Sequence, residues 1–170
     1  MSSAALADQI PPGSETVSIT GNVLSNAAGV VRVNQTAGNG NVQANVAVIG
    51  NGGAPTVHQS TAMTQAETGR TSIDDFAFSG VNGILQINQS AGTGNAQANV
   101  VYVSDNALSA ALPQQSVPTG PGASGGANAV SIAKTAFANA KGLVQISQTA
   151  GMSNRTANTF VLQLPSVAGH

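Results

Sequence analysis

Three stretches of this chain are versions of one segment, and that repetition constrains the fold more than any other feature. Asn34–Asn45 returns as Asn88–Asn99 and, more loosely, as Ser147–Asn158. Aligning Gly29, Gly83 and Gly142 gives offsets of 54 and 59 residues, which also superpose Ser18-Ile19, Ser72-Ile73 and Ser131-Ile132. Three units of 33 residues follow, Val17–Ile49, Thr71–Val103 and Val130–Leu162, with nine positions identical in all of them. A unit this short cannot bury its apolar face alone, so neighbouring copies must cover one another.

Within a unit the period is two. Val31 and Val33 share one face of a segment whose other face carries Arg32 and Asn34; Leu85 and Ile87, then Val144 and Ile146, repeat the pattern. Further on, Ala44, Val46 and Val48 alternate with Gln43, Asn45 and Ala47, while Ile19, Ile73 and Ile132 recur ahead of Gly29, Gly83 and Gly142. Alternation, β-branched residues and flanking glycines indicate strands. Each unit therefore reads as strand, glycine-containing turn, strand, Gly/Asn turn, strand. Asn39-Gly40 also suits a two-residue hairpin turn, although Met152-Ser153 in the third unit does not.

The fold class expected is all-β: a three-layer β-solenoid or cross-β stack, one three-stranded layer per imperfect repeat. Residues 50–70 and 104–129 read as long irregular linkers, the second rich in proline and glycine, which disrupt backbone ladders. Residues 1–16 read as a flexible lead-in and 163–170 as a tail. Stacked apolar positions would be Ile19, Ile73 and Ile132; Val31, Leu85 and Val144; Val33, Ile87 and Ile146. Glycines at the repeat turns are Gly29, Gly83 and Gly142, with Gly38, Gly92 and Gly151. What persists while the turn residues drift is amide: Gln35, Gln89 and Gln148; Asn41, Asn95 and Asn154; Asn45, Asn99 and Asn158. Identical amides ~4.7–4.8 Å apart in successive layers hydrogen-bond to one another as a ladder.

Composition removes most other functions. Charged residues make up 6% of the chain, against roughly 25% in ordinary soluble domains. The formal net charge is −1, with five Lys and Arg dispersed along the whole length, so no basic patch is available to neutralise phosphates and nucleic acid is not an expected partner. Near-zero charge also removes the repulsion that keeps chains apart. There is no cysteine, hence no disulfide or thiolate site, and no apolar run approaches the ~20 residues of a membrane-spanning helix. Ser2–Asp8 has the small-residue pattern of a signal-peptide cleavage region, which fits the mature form of an exported protein.

No catalytic constellation emerges. Asp74-Asp75 is the sole adjacent carboxylate pair and has no neighbouring histidine; a solvated turn is the simpler reading. His58 stands alone in a linker without metal-ligand partners. Gly38-Asn39-Gly40 does not continue into a phosphate-binding loop. Arg32 and Arg155 fit a gatekeeping role beside apolar strands. Since the recurrent residues include no titratable group, neither an enzyme nor a cofactor is expected.

The pattern Gly29, Asn34, Ala37, Gly38, Asn41, Gln43, Ala44, Asn45, repeated from Gly83 to Asn99, resembles the repeats of bacterial Fap functional amyloids; curli repeats are more weakly similar. The third copy departs at Ser147 and Thr156. The resemblance covers about 100 of the 170 residues and implies subunits that stack into extracellular cross-β fibres of a biofilm matrix. The partners it implies are copies of the same chain, with a nucleating subunit and matrix polysaccharide beside them. The alternative is a non-polymerising β-solenoid adhesin that binds polysaccharide or a surface through its Asn/Thr/Gln face.

Overall fold

A computed structural model describes residues 14–50, 53, 55–61, 67–105, 113–116 and 127–165. Within them the regular elements are all strands: β1 (Ser14–Ile19), β2 (Ala28–Ala37), β3 (Val42–Ile49), β4 (His58–Ser60), β5 (Thr68–Ile73), β6 (Asn82–Thr93), β7 (Ala96–Ser104), β8 (Gln114–Ser116), β9 (Ala129–Ile132), β10 (Lys141–Met152) and β11 (Arg155–Gln163). The expected lead-in up to Gly13, the Gly120–Gly126 run and the tail from Ser166 lie outside the described residues.

Strands pair between repeats, never with the next strand in the chain. β1, β5 and β9 form one parallel sheet, β2, β6 and β10 a second, β3, β7 and β11 a third. In each the second repeat occupies the middle place. The register joins like to like, as in Gly29, Gly83 and Gly142 or Val33, Ile87 and Ile146. Each repeat is therefore one layer of three strands, and the chain is a stack of three layers. The Asn39-Gly40 hairpin is not formed, because β2 and β3 each pair with the second repeat instead. Residues 38–41 are an arc that carries the chain from one sheet to the next.

The alternating side chains fix how the sheets face one another. Val31 and Val33, with Leu85 and Ile87 beside them, meet Ile19, Ile73 and Ile132 in an apolar core that includes Phe78 and Phe137, whose rings stack 5.7 Å apart. The opposite face of β6 bonds across to β3, where Gln86 and Asn88 donate to the carbonyls of Val46 and Ala44. The β2/β6/β10 sheet is thus covered on both sides, as is usual for parallel strands. On the far face of the third sheet, Ala44, Val46, Ala98 and Val100 pack against Val57.

Two features differ from the sequence-based expectation. β1 begins at Ser14 rather than Val17, with Ser14, Glu15 and Thr16 paired to Thr68, Gly69 and Arg70. The stretches read as irregular linkers also supply a fourth, two-stranded parallel sheet, β4 with β8. Three-residue strands carry no periodicity to read. What holds this pair beside the stack is an amide contact described below.

Candidate assembly surface: amide columns and bare layer edges

Gln35, Gln89 and Gln148 occupy one column. Gln89 Nε2 donates to Gln35 Oε1 at 3.1 Å, and Gln148 Nε2 donates to Gln89 Oε1 at 2.9 Å. The same nitrogens reach sideways: Gln35 to the carbonyls of Val17 and Ser72, Gln89 to that of Ser131. Gln35 and Gln89 so tie neighbouring layers together and the second sheet to the first. Gln89 is fully buried, and a buried amide left without partners costs about 1–3 kcal/mol. Alternation along β2 puts Gln35 on the side of Val31 and Val33, which explains its place within the apolar face.

The asparagines form two more columns of the same sense. Asn95 Nδ2 donates to Asn41 Oδ1 and Asn154 Nδ2 to Asn95 Oδ1, both at 2.9 Å. The backbone N–H groups of Asn95 and Asn154 donate to the same oxygens, so these side chains close the arcs at residue 41 and its counterparts. In the Asn45 column, Asn99 donates to Asn45 at 3.0 Å and Asn158 to Asn99 at 2.9 Å. Each Asn of this column also bonds across to the second sheet, at the carbonyls of Val33, Ile87 and Ile146 respectively. In all three columns the later layer donates and the earlier layer accepts.

Glycine is enforced where layers touch. A Cβ on Gly83 would lie 2.1 Å from the Gly29 carbonyl oxygen, and one on Gly142 equally close to that of Gly83. On the other arc the vectors point the opposite way, with Gly38 against Gly92 and Gly92 against Gly151 at the same 2.1 Å. Both columns hold positive φ throughout, a region open chiefly to glycine. The apolar positions are likewise in register: Ile19, Ile73 and Ile132; Val31, Leu85 and Val144; Val33, Ile87 and Ile146.

Several amides were not assigned to a column from sequence. Asn34 and Asn88 face the Asn45 column, with Asn45 Nδ2 donating to Asn34 Oδ1 at 2.7 Å and Asn99 Nδ2 to Asn88 Oδ1 at 2.9 Å. Gln43 donates to Gln97, and Gln86 to Gln145. The interior between the second and third sheets is therefore a polar zipper, with Gln86, Asn88, Gln97 and Asn99 fully buried. Outside it, Gln115 donates to Gln59 at 2.8 Å while Gln59 donates to the Gln97 carbonyl at 2.9 Å. The Gln-Ser pair shared by Gln59-Ser60 and Gln115-Ser116 was the available signal for this column.

A family model described as functional amyloid protein FapB/FapC matches residues 2–165, nearly the whole chain. The chain belongs to the FapB/FapC functional amyloid family. FapB/FapC proteins are structural amyloid subunits, components of extracellular fibres, and not a known enzyme family. No solved structure matches the chain.

The residues that offered other chemistry are placed accordingly. Asp75 sits in the turn after β5 with φ of 57°, and its Oδ2 accepts the N–H of Gly21 at 2.9 Å. His58 is exposed in β4, opposite Gln114 in register. Among the described residues, no group of three or more His, Cys, Asp or Glu is placed to hold a metal ion. No helix among them is long and apolar enough to cross a membrane.

The two ends of the stack are the remaining surface. The first layer presents the outer edges of β1, β2 and β3, and the third those of β9, β10 and β11. Between β10 and β11 the third layer opens into a groove of about 450 Å3 lined by residues including Val144, Gln145 and Asn158. Unpaired strand edges are templates for further pairing.

Proposed function

We propose that this chain is a fibre subunit that adds end to end, the first layer of one copy seating on the third layer of another. What carries the reading is the recurrence of layer contacts: the Gln35, Asn41 and Asn45 columns and the strand registers between repeats one and two are made again between repeats two and three. In those columns a third layer offers an incoming first layer the same acceptors that the first layer offers the second. An incoming Gln35 amide would meet Gln148 Oε1 as Gln89 meets Gln35, and three strand edges would gain backbone bonds at once. Such an interface joins two different surfaces and does not close on itself, so it generates filaments.

Copies of the same chain are the principal partner in this reading, and a nucleating subunit with the same layer would start growth by the same contacts. Matrix polysaccharide would meet the fibre's flanks. The adhesin alternative requires covered ends, and among the described residues neither terminal layer is covered.

Aligned fibres from purified protein are expected to give a meridional reflection near ~4.7 Å and an equatorial one near ~10 Å. A chain that stays monomeric under seeding, with no such reflections, would remove the fibre reading.

A further inference from the structure

The charged residues share out among the layers in a way that the amides do not. Arg32 stands in register with Gln86 and Gln145, Lys141 with Asn82 and Ala28, Arg155 with Ala96 and Val42. Arg70 lies between Thr16 and Ala129, and Glu15 beside Gly69. Asp74 donates its backbone N–H to Ile19 and Ala133 donates to Ile73, which puts Thr20 and Ala133 on either side of Asp74. Gly21, Asp75 and Lys134 follow at the next level, the only one of these columns with two charges, and those are of opposite sign. No column repeats a charge of one sign, although these columns hold most of the ionisable groups in the chain.

From this we infer that the charges set the axial period of the fibre at three layers, by opposing any stacking of a repeat on its own copy. The inference rests on the end-to-end reading above and specifies the partner surface: a third layer accepts a first layer, not another third. In that order each like charge in a column recurs after three layers, ~14 Å, beyond the Debye length of about 8 Å at physiological ionic strength. Flat, in-register stacking of identical repeats would instead bring each charge ~4.8 Å from its copy, in every one of these columns simultaneously. Third layer against third layer would oppose Lys134, Lys141 and Arg155 to themselves. The neutral residue types in the same columns show that the backbone tolerates other side chains there, so the one-per-column distribution is not forced by packing.

The test is mass per unit length of fibres by dark-field electron microscopy, on wild type and two variants. Wild type should give one 16.7 kDa chain per ~14 Å, about 1.2 kDa per Å, whereas one chain per layer would give about 3.5 kDa per Å. The variant Asp74→Thr, Asp75→Gly, Lys141→Asn, Arg155→Ala takes neutral residues from the same columns and keeps the net charge at −1. It should still form fibres, but with a broadened or mixed mass distribution. The variant Thr20→Asp, Ala133→Asp completes a column of like charge with Asp74. Its elongation should fall at least tenfold at ~0.01 M salt and recover at ~1 M, where the Debye length is about 3 Å. A wild-type value of one chain per layer, or a neutralised variant with the same sharp period as wild type, overturns the inference. Absence of fibres from wild type overturns the reading beneath it instead.

Discussion

A Cβ placed on Gly142 would stand 2.1 Å from the carbonyl oxygen of Gly83, closer than any side chain can come to a backbone. The terminal members of the glycine columns escape that restriction within one molecule: Gly29 has nothing within 4 Å of its Cβ position, and Gly151 has only the Asn154 amide at 3.6 Å. End-to-end seating would bring the same carbonyl contact to both.

Gly29→Ala is therefore expected to impair elongation far more than Gly50→Ala. Gly50 has an equally strained φ of +116° and nothing within 4 Å, so it controls for the backbone penalty of about 1–2 kcal/mol. Seeded growth followed by light scattering should slow at least roughly tenfold in Gly29→Ala, equivalent to about 1.4 kcal/mol. Equal rates for the two variants would place the interface elsewhere.

Replacing Gln35, Gln89 and Gln148 together by Ala removes a whole column. Fibre growth should slow much more than when Asn51, Gln65 and Gln114 are replaced, which subtracts as many amides from outside the three repeat units. Of the single changes, Gln89→Ala should be worst, by about 1–3 kcal/mol in the denaturant midpoint of depolymerisation, because it strands partners in both neighbouring layers.

Asn88→Leu tests the polar zipper. The Asn88 amide nitrogen donates to Asn34, Ala44 and Asn45 while its oxygen accepts from Asn99. Leucine fills the volume but withdraws the donor shared by the Ala44 carbonyl and the Asn34 and Asn45 side-chain oxygens, at a cost of about 1–3 kcal/mol. The same change at exposed Asn34 should cost less, and a ranking in the opposite sense would contradict the buried network.

Much of this fold was legible because parallel pairing places a residue against its own counterpart. The offsets of 54 and 59 that align Gly29, Gly83 and Gly142 in sequence are the registers of β2 with β6 and of β6 with β10. What could not be read was the cross-section. Alternation separates Val33 from Asn34 but does not say which sheet each face meets, so the pairing of Asn34 with Asn45 went unforeseen. Ser14–Thr16 escaped because Glu15 interrupts the apolar signal, and β4 because three residues define no period.

For the outer sheet, Gln115→Ala should raise hydrogen exchange at His58–Ser60 and leave β6 protected. Gln115 bonds both Gln59 and the Thr156 carbonyl, so losing it frees β4 and β8 from the stack. Faster exchange across β6 as well would mean that the fourth sheet is integral to the core.

The three columns through Gln35, Asn41 and Asn45 point one way, and aligned dipoles reinforce one another as a chain lengthens. A solitary molecule is the least favourable length: of its three layers, two are termini and a single one is flanked. Joining two molecules end to end doubles the layers to six and leaves the termini at two, so every addition after the first starts from a stronger lattice. Sluggish initiation followed by rapid, unidirectionally ordered extension is the kinetic signature written into that arithmetic.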